Sequence, residues 1–325
     1  MVDDGGMRAA IEGMGRQLLE GDRIGGEAGG DLAMPTAVVI AGMGGSAMSG
    51  ELLRALVIGD CAVPITRVRG FGVPGWAGPG TLVVCSSYSG DTAETLACAD
   101  QARGQGASLL CVGMGGALEQ RARAWGVPFA QVPGGLHPRA ALGYLFGAMA
   151  GAFAACGLSR SGIAGECAQG VAAVDRDAAA ALGARLATTI PLIYGAGPMA
   201  AVAYRWKTQL NENAKMHAFS HAFPELDHNE IVAWEGAPAG TFAAVLLRDP
   251  GERDETRRMI EATAELIGQD AVLVEQVEGR GDTAAARAFS MVAHGDWVSY
   301  HAALERGVNP TPVDRIGTLK RRIGE

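Results

Sequence analysis

Residues 36–47 read TAVVIAGMGGSA, an apolar, β-branched run that passes directly into glycines and a serine. The run has the length of one buried strand, and glycines permit the tight turn by which a strand enters a helix. Residues 81–96, TLVVCSSYSGDTAETL, repeat this plan with hydroxyl side chains in the turn. Both segments therefore predict a strand, a tight turn and a helix.

The same alternation continues on both sides of these segments. The further apolar runs are PITRVRG, SLLCVG, PFAQVPG, IPLIYGAG, TFAAVLLRD and AVLVEQV, and helical stretches such as AMSGELLRAL and ALEQRARAW separate them. Continuous apolar strands between helices are typical of parallel sheets covered on both faces. We therefore predict an α/β fold of two doubly wound domains, each with a mostly parallel sheet flanked by helices.

Composition suggests where these domains begin and end. We predict an N-terminal helix and Gly-rich linker over residues 1–34 and a first, phosphate-binding domain over 35–158. A connecting helix follows over 159–187, and a second domain with a C-terminal tail covers 188–325. Residues 141–158 carry no charge, but their many alanines and glycines favour a helix buried in a soluble protein over a membrane span.

Charge and cysteine usage narrow the class of protein. The formal net charge of −8 argues against nucleic acid or an anionic membrane as the main partner. The six cysteines form no CxxC pair, and several lie in apolar runs, which favours buried thiols in a reducing compartment. The acidic first residues lack the apolar core of a signal peptide. We therefore predict a cytoplasmic protein.

Two glycine turns match the dinucleotide-binding fingerprint. Gly42–Ala47 and Gly195–Ala200 both fit G-x-G-x-x-A, a spacing that any tight turn before a buried helix also favours. A dinucleotide site needs an acidic residue at the end of the next strand, whereas PITRVRG carries Arg67 and Arg69. The sequence thus disfavours a nicotinamide dehydrogenase.

Hydroxyl side chains after two strands indicate a phosphate site instead. Ligands of an open parallel sheet lie beyond the carboxyl ends of its strands, where helix N-termini also present unpaired N–H groups. The residues expected there are Gly45, Ser46, Ser87, Ser89 and Thr92. The alternative is that the hydroxyls only cap helices, Thr92 above all.

These turns resemble the sugar isomerase (SIS) domain, in which S-Y-S-G-[ND]-T-x-E-T accompanies G-x-G-G-S. The segments NENAK at 211–215, PELDHNE at 224–230 and RGVNPTPV at 306–313 resemble signatures of the bifunctional phosphoglucose/phosphomannose isomerases. The resemblance covers residues 36–320. It implies interconversion of fructose 6-phosphate with glucose 6-phosphate and mannose 6-phosphate, no metal or organic cofactor, and a homodimer whose histidine reaches the partner's site.

Four side chains match the roles that this chemistry needs. Glu212, flanked by Asn211 and Asn213, is the expected base for proton transfer through a cis-enediol, although an ordinary solvated helix glutamate is the alternative. His228 is the expected acid–base for ring opening. It follows Asp227, where the family is expected to carry asparagine.

Arg139 and Lys320 complete the expected set. Arg139 follows the strand PFAQV and would stabilise the enediolate, unless it binds a structural carboxylate. Lys320 would assist ring opening, unless it belongs to a solvated basic run with Arg321 and Arg322. A non-catalytic phosphosugar-binding SIS sensor is the alternative function. It predicts binding without turnover, and this four-residue set argues against it.

Overall fold

A computed structural model describes residues 5–323; residues 1–4 and 324–325, the outer ends of the predicted first and last segments, lie outside the described residues. The helices are α1 Met7–Glu12, α2 Met14–Gly29, α3 Gly44–Val57, α4 Ala93–Gly104, α5 Gly116–Trp125, α6 Leu142–Ala155, α7 Ile163–Ala172, α8 Arg176–Leu186, α9 Pro198–Glu212, α10 Asp254–Ile267, α11 Ala284–Glu305 and α12 Asp314–Ile323. The strands are β1 Ala37–Gly42, β2 Ile65–Val68, β3 Thr81–Ser86, β4 Ser108–Gly113, β5 Phe129–Gln131, β6 Ile190–Ala196, β7 Phe219–Phe223, β8 Phe242–Arg248 and β9 Leu273–Glu278. Short 3-10 helices cover Pro138–Ala141, Glu225–His228 and Glu230–Gly236.

The described chain divides into two compact units. The N-terminal unit comprises residues 13–168, and the C-terminal unit comprises residues 5–12 and 169–323. These bounds differ from the predicted domain boundaries because α2 packs against α6 in one unit, and α1 packs against α11 in the other. Each unit holds one parallel sheet, as predicted.

The sheet of the N-terminal unit has the order β2-β1-β3-β4-β5, with every neighbouring pair parallel. All six residues of β3 are buried, as are five of the six in β1, because helices cover both faces. In this order the chain changes direction between β1 and β3, and ligands bind at such a switch point beyond the carboxyl ends of the strands.

The predicted Gly-rich linker is wrong, since α2 continues to Gly29. A Cβ on Gly21 would come within 2.5 Å of the Tyr144 oxygen, and one on Gly25 within 1.8 Å of the Ala148 oxygen. Gly147, on α6, likewise leaves room for Leu18 of α2. The glycines therefore allow two helices to approach closely, and this packing outweighs the low helix propensity of glycine.

The charge-free segment forms α6, whose residues Leu142 to Phe153 are all buried. This confirms the prediction of a buried helix. Among residues 5–323, no helix has the length and apolar character needed to cross a membrane. All six cysteines are free thiols, and five of them are buried.

The C-terminal unit holds a second parallel sheet, of order β7-β6-β8-β9. The strand β7 was not predicted, because FSHAF is partly polar and lies at an edge, where it pairs only with β6 among the described strands. The single connecting helix predicted over 159–187 is wrong. Its place is taken by α7 and α8, and the Asp175 carboxylate caps α8 by accepting the Ala178 N–H at 2.9 Å.

Candidate active site

Two turns at the carboxyl edge of the first sheet are bonded to each other. Gly44, with φ of +52°, opens α3 after β1, in a backbone region that favours glycine. The hydroxyl of Ser46, in the first turn of α3, accepts the N–H of Tyr88, in the turn after β3, at 3.1 Å. Both serine and tyrosine are nearly fully buried. The turns after β1 and β3, where the sequence predicts a phosphate site, therefore contact each other directly.

The turn after β3 arranges its hydroxyls toward one another. Ser87 Oγ and Thr92 Oγ1 are 2.9 Å apart, and Ser87 Oγ also accepts the N–H of Gly90. Within the described chain, the Thr92 side chain makes no capping hydrogen bond to α4, so capping does not occupy this hydroxyl. Ser89 Oγ accepts the N–H of Asp91 at 3.2 Å and is partly exposed.

Arg139 lies beside this pair of turns. It belongs to the 3-10 helix Pro138–Ala141, and only 3% of its surface is exposed. A Cβ on Gly45 would come within 2.7 Å of the Pro138 oxygen and 3.0 Å of the Arg139 Cα, so only glycine allows this approach. The N-terminal unit thus brings the predicted hydroxyls, the N-terminus of α3 and a buried guanidinium to one edge of its sheet.

Tyr88 ties the loop before Arg139 to the same edge. Its hydroxyl donates to the Pro133 oxygen at 3.0 Å and accepts the Leu136 N–H at 3.1 Å. Burial raises the pKa of Tyr88, so this hydroxyl stays protonated. The sequence-based prediction gave Tyr88 no role; its position between Ser87 and Ser89 was the available signal.

In the second sheet, Glu212 lies at the amino-terminal edge, where the parallel strands begin. The helix α9 starts after the carboxyl end of β6 and must return before β7 runs parallel to β6. Glu212 is its last residue and lines a groove of about 740 Å³, which we call the Glu212 groove. Other residues of this groove are Lys215, Met216, Phe219, Val313 and Ile316.

The chain around Glu212 is held on several sides. Lys215 Nζ donates to the Glu212 carbonyl oxygen at 2.6 Å and to that of Pro310 at 3.2 Å. Asn211 donates to the Met216 oxygen, and the buried Asn213 donates to Ser299 Oγ. The two asparagines predicted to flank the base therefore fix the end of α9.

His228 occupies the other edge of this sheet, beyond the carboxyl end of β7. It ends the 3-10 helix Glu225–His228 and is exposed. The neighbouring Asp227 accepts a hydrogen bond from Thr263 of α10 at 2.8 Å, and burial raises the pKa of this carboxyl group. Within the C-terminal unit, Glu212 and His228 are therefore not brought together.

Lys320 lies on α12 and is exposed. The first turn of that helix, Asp314 to Ile316, lines the Glu212 groove. The predicted tail thus ends in a helix that starts beside the expected base. No group of three or more His, Cys, Asp or Glu side chains suited to a metal ion occurs in the part of the chain that the structure describes.

Two relatives identify the family. The bifunctional phosphoglucose/phosphomannose isomerase of Caldicellulosiruptor bescii is 34% identical over 304 residues, which cover 89% of each chain. The protein of the same name from Thermoplasma acidophilum is also 34% identical over 304 residues, covering 88% of this chain and 89% of that one. This chain belongs to that family.

Two further findings agree with membership of the bifunctional phosphoglucose/phosphomannose isomerase family. The family model described as the bacterial phospho-glucose isomerase C-terminal SIS domain matches residues 175–323, which include the NENAK, PELDHNE and RGVNPTPV segments. A putative phosphosugar isomerase from Silicibacter pomeroyi superposes with a TM-score of 0.75 at 16% identity, covering 94% of this chain and 99% of that one. At that identity the likeness concerns the fold alone. The resemblance and the SIS-type fold read from the sequence are confirmed.

Proposed function

We propose that this chain is an aldose–ketose isomerase that interconverts fructose 6-phosphate with glucose 6-phosphate and mannose 6-phosphate. The observation that carries the proposal is the set of bonded turns after β1 and β3, with Ser46, Ser87 and Thr92, at the switch point of the first sheet. Hydroxyls and first-turn amides of a helix suit a phosphate dianion. The family to which the chain belongs adds the hexose and the reaction class.

In this proposal the phosphate cradle consists of Gly45, Ser46, Ser87, Ser89 and Thr92. The amides of Ser46 and Ala47 donate to the Met43 oxygen, so the N–H groups of Gly44 and Gly45 are the ones proposed to bind the phosphate, while the hydroxyls donate to its oxygens. Gly45 has a second function, because it lets the segment of Arg139 approach closely. The phosphate would thus anchor the sugar within reach of a guanidinium.

Glu212 is the proposed base. With fructose 6-phosphate its carboxylate removes a proton from C1, which gives a cis-enediolate; the same carboxyl group then returns a proton to C2, while the hydroxyl proton passes from O1 to O2 by way of the cis-enediol. Return to one face of C2 gives glucose 6-phosphate and return to the other gives mannose 6-phosphate. Arg139 stabilises the negative charge that develops on the enediolate oxygens, since a guanidinium remains charged at any physiological pH.

His228 and Lys320 are the proposed groups for ring opening. The imidazole accepts the proton of the anomeric hydroxyl and delivers a proton to the ring oxygen as the bond from that oxygen to the anomeric carbon breaks. Lys320 supplies a positive hydrogen-bond donor to that ring oxygen. Its helix starts at the Glu212 groove, which supports a place near the base.

A second copy of the chain is proposed to supply His228. The five residues of β7 separate the edge of Glu212 from the edge of His228, and at about 3.3 Å per residue they span roughly 16 Å. This separation favours contact of one hexose phosphate with Glu212 of one chain and His228 of another. The exposure of His228 agrees with a role in the site of a partner.

Isomerisation in heavy water tests the base. Fructose 6-phosphate should yield glucose 6-phosphate and mannose 6-phosphate labelled at C2, because the carboxyl group exchanges its proton with solvent. We expect Glu212→Gln to lower kcat by about three orders of magnitude or more, since an amide cannot act as the base. NMR of the products measures both effects.

The exposed Glu265 of α10 provides the matched control, and Glu265→Gln should behave as wild type. A Glu212→Gln protein that isomerises at the wild-type rate would remove Glu212 from the mechanism. Tight binding of fructose 6-phosphate by the wild-type protein without turnover would instead identify a phosphosugar sensor.

A further inference from the structure

The turn that carries His228 is braced internally by Asn229. The side-chain amide of Asn229 donates to Glu225 Oε1 at 3.0 Å, on one side of the histidine. Its oxygen accepts the backbone N–H of Glu230 at 2.5 Å, on the other side. A single side chain thus connects both ends of the turn, although the turn lies at the surface.

Glu230 anchors this turn to the second sheet. Its Oε1 accepts the Tyr194 hydroxyl of β6 at 2.6 Å, and its Oε2 lies 2.9 Å from His221 Nδ1 of β7. Since a carboxylate only accepts hydrogen bonds, His221 carries its proton on Nδ1 in this pair. Tyr194 also accepts the Trp234 indole N–H at 3.3 Å. Two adjacent strands therefore hold one carboxylate.

The anchor lies against the core of the unit. Tyr194 is fully buried and packs edge-on against Phe223, the last residue of β7. Burial, followed by the hydrogen bond to Glu230, raises the pKa of Tyr194 well above its usual range, so the hydroxyl remains a donor. An exposed catalytic side chain needs such a rigid support, because a mobile turn would hold the side chain in its reactive orientation for only part of the time.

We infer that Glu230 is a positioning residue: held by Tyr194 and His221, it fixes the backbone beside His228 so that the imidazole reaches the substrate ring in one orientation. This inference rests on the proposed role of His228 in ring opening. Glu230 acts through the histidine in this scheme and does not itself contact the sugar. Its loss should therefore reduce kcat and leave the affinity for the phosphate unchanged.

Tyr194→Phe tests the anchor while keeping the aromatic ring. We expect kcat for fructose 6-phosphate to fall about tenfold while KM changes less than twofold. Tyr144→Phe is the matched control. It removes another tyrosine–glutamate bond, from Tyr144 to Glu20 at 3.2 Å, and should leave both constants unchanged. An unchanged kcat in Tyr194→Phe would overturn the inference.

His221 supplies a second, partly exposed variant if the buried Tyr194→Phe protein folds poorly. His221→Ala should lower kcat as Tyr194→Phe does. His221→Asn should restore most of it, because the asparagine amide can donate from nearly the same position as Nδ1. Equal losses in His221→Ala and His221→Asn would contradict the anchor and would leave bulk packing as the role of His221.

A double-mutant cycle separates positioning from a general loss of stability. If Tyr194 and His221 act through His228, adding Tyr194→Phe or His221→Ala to His228→Ala should lower the residual kcat no further. A further tenfold loss would overturn the inference while leaving the proposed role of His228 intact. A His228→Ala protein with the wild-type kcat would instead remove both that role and this inference.

Discussion

At the scale of single residues, the hydroxyls of Ser87 and Thr92 carry the most specific information about the ligand. Their oxygens are 2.9 Å apart, and Ser87 Oγ already accepts the Gly90 N–H. Their mutual bond uses one of the two O–H hydrogens, so the other can be donated outward. A ligand that only accepts hydrogen bonds, such as a phosphate dianion, fits this arrangement.

Thr92→Val should therefore weaken substrate binding while the fold is kept. Loss of one hydrogen bond to a charged group, of about 1.5–3 kcal/mol, corresponds to a rise in KM of roughly tenfold to a hundredfold. The value of kcat should change little, because the phosphate is bound alike in the ground state and the transition state. The exposed Thr188 gives the control Thr188→Val. Steady-state kinetics with an unchanged KM would remove Thr92 from the cradle.

At the scale of elements, the close approach of α2 and α6 predicts that alanine substitutions at two neighbouring glycines have opposite effects on stability. A Cβ on Gly25 would lie 1.8 Å from the Ala148 oxygen, whereas one on Gly26 would meet nothing within 4 Å among the described residues. We expect Gly25→Ala to lower the free energy of unfolding by about 2 kcal/mol or more. Gly26→Ala should raise it by about 0.5–1 kcal/mol through helix propensity. Urea unfolding that gave both variants the same sign would contradict this packing.

Strands and helices were predictable from the sequence where the local residue pattern favours the same structure as the packing of the folded chain. The buried runs of β1 and β3 are apolar throughout, so their strands and turns were found from the residues alone. In α2 the spacing of Gly21, Gly25 and Gly29 by four residues was the signal of a helix interface, but glycine content by itself favours a linker. In β7 the polar centre of FSHAF concealed a strand, because an edge position does not require an apolar one.

At the scale of the whole molecule, the missed strand also limited the prediction of the site. The residues of the proposed phosphate cradle closely follow β1 and β3, so the edge of the sheet at which they lie could be predicted. Glu212 and His228 are only 16 positions apart in the sequence, yet β7 runs between them and separates them to opposite edges of the sheet. Such a separation can be inferred only when β7 is known, and it supports the proposal that Glu212 and His228 of one site come from two chains.

Mixing two inactive proteins tests whether subunits share the site. In a Glu212→Gln/His228→Ala heterodimer with shared sites, one site would carry both substitutions and the other would be intact. Random pairing of equal amounts makes half of the dimers mixed, so about a quarter of the wild-type kcat should return.

Mixing Glu212→Gln with the double variant Glu212→Gln/His228→Ala is the control, since no pairing of these chains contains an intact site. Differently tagged chains establish by mass spectrometry that subunits have exchanged. Exchange without recovered activity would mean that Glu212 and His228 act within one chain, and it would overturn the proposed sharing of the site between subunits.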